Sequence, residues 1–285
     1  MLVGMKELLN TCKENRTAVP AFNVYNLETI LSVNAAATHL ECPVIFAFGE
    51  GYLDDVPMEI IASSITFLAE KSKQPMVLHL DHAKHLSTIK RAIACGFTSV
   101  MYDGSQLPLE ENIRNTQKVI EIAHKAKVSV EGELGYLNAE DGSQAHKMDG
   151  ILASEYTSPQ IAQQYAQETG VDALAIAIGN AHGLYKGTPQ LDFEVLKQIK
   201  AYTDLPLVLH GSSGIPKEQI QQAIRLGICK ININTEVALA AVESIRTRIN
   251  QSPEPNSLRY EKLIRKTKKD LTPVIEKYMQ FITEC

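Results

Sequence analysis

The sequence predicts an α/β protein, a closed (β/α)8 or TIM barrel with a C-terminal helical extension, on three observations. Short apolar runs rich in β-branched residues alternate with amphipathic stretches along almost the whole chain. Eight such runs can be counted, the number that closes a parallel barrel. The turn after the first run reads Asn23-Val-Tyr-Asn26 and lacks the glycine-rich fingerprint that would open a doubly wound sheet.

The N-terminal stretch Met1 to Leu9 reads as the start of an amphipathic helix. The first strand is then expected at Ala18 to Val24, and the others at Pro43 to Gly49, Met76 to His82, Ser99 to Ser105, Val128 to Gly135, Ala173 to Asn180, Leu205 to Ser212 and Cys229 to Glu236. Helical periodicity falls between them, at Leu27 to Leu40, Met58 to Ser72, Thr88 to Cys95, Glu110 to Ala126, Pro159 to Thr169, Phe193 to Tyr202, Lys217 to Leu226 and Val237 to Ile249. Ala173 to Ile178 and Leu205 to Leu209 show little polar alternation, as expected of parallel strands covered on both faces. Pro253-Glu-Pro-Asn256 breaks the pattern, and the lysine-rich segment Ser257 to Thr283 is expected to dock as a helix on the barrel or on a second subunit. Residues 1–285 thus read as one domain.

Composition narrows the function. A chain of 285 residues that is 45% hydrophobic can bury one large core. A net charge of -5 argues against a nucleic-acid surface but leaves small anionic substrates open, since local donors hold those. The five cysteines, Cys12, Cys42, Cys95, Cys229 and Cys285, are scattered without a CxxC pair, which points to a reducing, cytoplasmic home. No apolar run approaches membrane-spanning length and no signal-peptide pattern is present, so no membrane partner is expected.

In such a barrel the active site is built at the C-terminal ends of the strands. Three histidines stand there: His82 after the third run, His182 after the sixth and His210 after the seventh. Three neutral imidazoles can hold a divalent metal and leave positions free for substrate. The other polar strand ends are Asn23, Asp81, Asp103, Ser105, Glu133, Gly211, Asn232, Asn234 and Thr235, a set of acids, amides and small residues without lysine or arginine. Period two places His79 and Asp81 on one face and His82 on the other, unless the chain has left strand geometry by then. His79 is therefore read as a histidine of the core or one that backs the site residues, and His39, His85, His124 and His146 as surface residues. The segment His210-Gly-Ser-Ser-Gly214-Ile-Pro-Lys-Glu218 presents backbone N–H groups and hydroxyls ahead of a helix, at the place where this barrel commonly binds phosphate.

With His79-Leu-Asp-His82, Tyr102-Asp-Gly-Ser105, Val130-Glu-Gly-Glu-Leu-Gly135, Ala177-Ile-Gly-Asn-Ala-His-Gly183, Val208-Leu-His-Gly-Ser-Ser-Gly214 and Lys230-Ile-Asn-Ile-Asn-Thr235 in order, the chain resembles the class II, metal-dependent ketose-bisphosphate aldolases. The resemblance implies zinc on His82, His182 and His210, with Asp81 as catalytic proton donor. It also implies that Asp103 and Glu133 serve an alternative or second metal position, for a second divalent or a monovalent cation. Dihydroxyacetone phosphate would sit on Gly183, on Gly211, Ser212 and Ser213, and on Asn232, Ile233, Asn234 and Thr235, with Asn23 nearby. Glu140, in a long loop before Ser158 that suggests a lid, is the candidate for moving the carbon-bound proton of the triose.

The expected reaction is reversible cleavage of a fructose- or tagatose-type 1,6-bisphosphate to dihydroxyacetone phosphate and glyceraldehyde 3-phosphate. Gly49 stands where the bisphosphate enzymes often place a serine, which leaves Arg259 as the candidate for the far phosphate, in this chain or from the partner in a dimer or tetramer. Asn138-Ala139 and Gln106 also depart from the family pattern, which has Gly-Gly before the loop acid and a histidine after the fourth strand. A different or singly phosphorylated ketose is the alternative that Gly49 suggests. A metal-dependent hydrolase explains the histidines but not the phosphate loop. A Schiff-base aldolase needs a lysine at an inner strand end, and Lys230, read as the start of the eighth strand, and Lys186 are poorly placed for it.

Overall fold

The computed structural model describes residues 1–135, 156–183, 185, 187–252 and 258–283. Eight parallel strands close in sequence order: β1 (Val19–Asn23), β2 (Val44–Gly49), β3 (Met76–Ala83), β4 (Ser99–Tyr102), β5 (Ser129–Leu134), β6 (Ala173–Ile176), β7 (Leu207–Leu209) and β8 (Ile228–Ile233), with β8 pairing back on β1. Helix α1 (Met5–Asn15) precedes β1. The crossover helices are α2 (Leu27–Leu40), α3 (Met58–Lys71), α4 (Leu86–Ala94), α5 (Leu109–Lys125), α6 (Pro159–Thr169), α7 (Phe193–Tyr202) and α8 (Lys217–Arg225), followed by α9 (Thr235–Gln251) and α10 (Tyr260–Thr283). Among the described residues no helix is long and apolar enough to cross a membrane.

Local chemistry sets the helix ends. At α2 the Asn26 side chain accepts from the Thr29 N–H while the Thr29 hydroxyl oxygen accepts from the Asn26 N–H, a reciprocal cap. Pro159 opens α6, and Gly170 closes it at a φ of 72°. The outward residues of the strands, such as Phe22, Phe46, Leu78, Val130 and Leu209, meet the helices in one continuous core. The N-terminal end of the barrel is plugged by α1, whose Met5, Leu9 and Cys12 pack on Val19, Ala21, Ile45, Val77 and Val208. Of the two docking places expected for the C-terminal segment, α10 takes the first. It buries Leu271, Ile275 and Met279, and its backbone at Lys268 accepts from the Ser32 hydroxyl of α2.

Four strands end earlier than their apolar runs. β4 stops at Tyr102 because Asp103 turns back to accept from both the N–H and the hydroxyl of Ser105. β6 stops at Ile176 because the Asn180 side chain caps the Ile178 N–H and the Ile176 carbonyl before Gly179 turns at a φ of 102°. β7 ends at Leu209, ahead of Gly211 at a φ of 56°. β8 ends at Ile233, since Thr235 already begins α9. Asp103, Ser105, His182, His210, Gly211 and Asn234 therefore stand in loops around the mouth, while Asn23, Asp81, His82, Glu133 and Asn232 remain within their strands.

Candidate active site

β3 delivers two adjacent side chains to the mouth because its end leaves strand geometry. Val77, His79 and Asp81 face the barrel axis, while Leu78 and Leu80 lie in the helix-facing core. Period two would send His82 outward. Instead the register with β4 slips between Leu80 and Ala83, and His82 takes a φ of 47°. A non-glycine residue in that region costs about 1–3 kcal/mol, a strain that the surrounding fold must hold in place. The bulge sets the imidazole beside Asp81.

His182 and His210 are brought together by a close approach of two loops. A Cβ on Gly211 would lie 2.2 Å from the Ala181 carbonyl oxygen, so only glycine allows the contact. Tyr185 joins the same loops, its hydroxyl accepting from the Ala181 N–H at 2.6 Å and donating to the Gly211 carbonyl at 2.8 Å. Asn180 adds a third tie by donating to the His210 carbonyl at 3.1 Å.

The three rings then converge. His82 lies 4.9 Å from His182 and 4.7 Å from His210 between ring centres. One ligand nitrogen from each falls within 4.8 Å of the other two. His210 Nδ1 is 2.9 Å from His82 Nε2. The opposite nitrogens face carboxylates, His82 Nδ1 at 3.1 Å from Asp103 Oδ2 and His210 Nε2 at 2.8 Å from Glu131 Oε1. Because a carboxylate only accepts, those outer nitrogens carry the protons, and the facing pair would be two opposed lone pairs. Such a pair is relieved by a shared proton or by a cation, so the donor set fits a divalent metal of the zinc type.

The electrostatics point the same way. Burial drives the His82 imidazolium down, but Asp81, the Asp103 hydrogen bond and Glu133 outweigh it and carry the group up to about 10. Burial, reinforced by the charge of His82, pushes His182 down to about 3. Burial raises Asp81, yet the neighbouring imidazoles, His82 first, hold it below the ordinary carboxylate range. Asp81 also accepts from Asn23 Nδ2 at 2.9 Å and from Asn232 Nδ2 at 3.2 Å, which fixes its plane. Glu133 is raised well above its ordinary value by burial, with the nearby acids adding to the shift. Its Oε2, without a hydrogen-bond partner, joins His82 and Asp103 in a second cluster of ligand atoms.

Residues 3–285 match the family described as fructose-bisphosphate aldolase class-II. The chain belongs to the class II fructose-bisphosphate aldolase family. It is similar to the YdjI aldolase of Escherichia coli K12, with a TM-score of 0.87 and 33% identity over 99% of this chain and 97% of that one. A Coccidioides immitis protein described as a fructose-1,6-biphosphate aldolase aligns with a TM-score of 0.85 and 29% identity, over 98% of this chain and 95% of that one. The fructose-bisphosphate aldolase of Campylobacter jejuni has a TM-score of 0.81 over 99% of this chain and 95% of that one, and at 24% identity shows the fold. The protein is a carbon–carbon lyase.

The aldolase site opens into a cavity of about 750 Å³. Asn23, Asp81, His82, Asp103, Glu133, His182, Gly183, Gly211, Ser213, Asn232, Asn234 and Thr235, all named from the sequence, line it together. Ser212 is buried outside the lining, with its hydroxyl on the Asn232 carbonyl, and Ile233 belongs to the helix-facing core. Arg259 is exposed just before α10 and does not line the cavity of its own chain. Glu140, the Asn138-Ala139 pair, His146, Lys186 and most of the suggested lid lie outside the described residues.

Several residues of the aldolase site carry no motif of their own. Glu236, in the first turn of α9, accepts from the Ser213 hydroxyl at 2.6 Å and from the Gly214 N–H at 2.9 Å, so these two donors of the loop are already engaged. Glu50 and Tyr52, after β2, and Lys84, His85 and Thr88, after β3, form the wall across the barrel from the serine loop that follows β7, with the Tyr52 hydroxyl accepting from Asn234 Nδ2 at 3.2 Å. There Glu50 Oε2 accepts from the Lys84 N–H at 2.8 Å and lies 3.1 Å from His85 Nδ1. His85, read as a surface residue, is exposed and also lines the cavity. Lys230 is not at the start of β8 but within it, fully buried, with its Nζ 2.9 Å from Glu131 Oε2. An ion-paired lysine sealed in the barrel is no Schiff-base nucleophile. Glu131 and Glu133 are two apart on β5 and share a face, the one signal that could have revealed Glu131.

Proposed function

We propose that this aldolase carries out the reversible, metal-dependent cleavage of a ketose 1-phosphate, releasing dihydroxyacetone phosphate and an aldehyde. One observation carries the reading: the three imidazoles converge beside a buried, amide-held carboxylate, at the edge of a glycine- and serine-lined loop. His82, His182 and His210 would hold the metal, with the His82, Asp103 and Glu133 cluster offering a second cation position. A divalent ion there would stabilise the enediolate charge left on the triose, by several kcal/mol.

Asp81 is placed to take the proton from the hydroxyl of the bond being broken, and to return it to the aldehyde oxygen in condensation. Asn23 and Asn232 hold its two oxygens in position. The triose phosphate is assigned to the backbone at Gly183 and Gly211 and to Asn234 and Thr235, where the N-terminus of α9 favours an anion. Glu140 is proposed to move the proton at the triose carbon.

Lys84 and His85 on the far wall support a ketose 1,6-bisphosphate of the fructose or tagatose type. A singly phosphorylated ketose is the second reading. It is favoured by the Glu50 and Asp54 carboxylates on that wall and by Tyr52, whose ring a Cβ on Gly49 would meet at 3.2 Å. Condensation of dihydroxyacetone phosphate with a panel of aldehydes tests both. Activity is expected to vanish in excess chelator and return with zinc. Full activity in chelator, or inactivation by borohydride in the presence of substrate, would sink the metal reading.

A further inference from the structure

Beneath the mouth, His79, Glu131, Lys230 and His210 share a space sealed from solvent, each with 0% of its surface exposed. Lys230 Nζ stands 2.9 Å from Glu131 Oε2 and 3.2 Å from Oε1. Glu131 Oε1 lies 2.8 Å from His210 Nε2. His79 fills the remaining side, with its Nε2 3.7 Å from both Glu131 Oε2 and Asp81 Oδ1, and its Nδ1 2.8 Å from the Ser99 hydroxyl.

Burying a carboxylate and an ammonium is costly, and apolar side chains of similar volume often serve stability as well or better. The layer below is built in that apolar way, from Val19, Ala21, Ile45, Val77 and Val208. The charged layer therefore answers to something other than stability. It touches the metal ligand His210 on one side and the catalytic Asp81 on the other.

A neutral imidazole has one proton for two nitrogens. Because Glu131 accepts, the His210 proton sits on Nε2 and leaves Nδ1 open toward His82. Lys230 supplies the counter-charge that lets a carboxylate stand in that space. His79 Nε2 lies beyond hydrogen-bond range of both carboxylates, and its Nδ1 pairs with the Ser99 hydroxyl, which also lies 3.3 Å from Met5 Sδ. The His79 ring thus stands between Glu131 and Asp81.

We propose that Glu131, Lys230 and His79 are positioning residues, which impose on His210 the tautomer whose Nδ1 faces the metal and which set Asp81 against the same frame. The inference rests on the metal reading above. Zinc-loaded wild-type protein labelled with 15N-histidine, with His210 assigned by its loss in His210→Gln, is expected to show that ring protonated at Nε2 and ligated through Nδ1. Ligation through Nε2 overturns the proposal. The double replacement Glu131→Gln/Lys230→Met removes both charges together and leaves no uncompensated ion. It should keep the melting temperature of the metal-free protein while zinc affinity, read by chelator competition, falls about 10–100-fold and the cobalt-substituted spectrum changes. Wild-type zinc affinity with an unchanged cobalt spectrum overturns the proposal. Wild-type protein that binds no zinc overturns the metal reading instead, and this inference with it.

Discussion

The two ends of the barrel interior are made from the same strands and have opposite chemistry. At the N-terminal end Val19, Ala21, Ile45, Val77 and Val208 pack on α1 as an apolar plug. Two residues further along, roughly 6.5 Å at the usual strand rise, Val77 gives way to His79 and Val208 to His210, and four along Val77 has become Asp81. Ala21 likewise gives way to Asn23. The contrast shows a division of labour within single strands: one end is selected for packing, and the other keeps polar groups that cost stability and supply chemistry.

The sharpest way to break this division is to challenge the proposed metal site. Excess chelator, or His182→Ala, should abolish aldol cleavage while the circular dichroism spectrum of the barrel persists, since His182 stands on a mouth loop. Co-loss of fold and activity would show that the two ends are not separable. Asp81→Ala should keep zinc, measured by metal analysis, and lose carbon bond cleavage by about a hundredfold or more. At the plugged end, Val77→Ala deletes two buried methyl groups at about 0.8 kcal/mol each, plus a cavity contribution, or about 2 kcal/mol in all. Denaturant titration should register that loss, and the kcat of the folded enzyme should not. The smallest effect is expected on the exposed far wall, where Lys84→Ala should raise KM for a ketose bisphosphate about threefold to tenfold and leave kcat alone. Arg259→Ala, assayed beside a sedimentation measurement of oligomeric state, tests whether a partner subunit completes that wall; an unchanged KM in a dimer removes Arg259 from the site.

Much of this was legible in the residues. The eight apolar runs became eight strands because parallel strands covered on both faces leave near-continuous hydrophobic stretches. His79 and Asp81 fell on one face, His79 inside the barrel and Asp81 in the site, as period two requires. His82 did not obey that period, and its placement depended on a bulge that propensity does not encode. β4, β6, β7 and β8 were overextended, since Asp103, Asn180 and Gly211 divert the backbone, and α9 begins already at Thr235, through bonds and conformations that hydropathy does not register. Lys230 was placed at the start of its run and not within it, since hydropathy does not register the buried carboxylate of Glu131 that pairs with it.

By itself the sequence determined the alternation of strand and helix, the polar residues at the strand ends and the three histidines that could hold a metal, because all of these follow from periodicity and residue type along a short stretch of chain. Only the tertiary structure decided which of those residues meet. Glu131 and Lys230 are 99 positions apart, Asp81 and Asn232 are 151, and His82 and His210 are 128. Their contact depends on the stagger with which the strands close, on the turn at His82 and on the fit of Gly211 against Ala181, quantities set by packing all eight strands at once and by no segment alone.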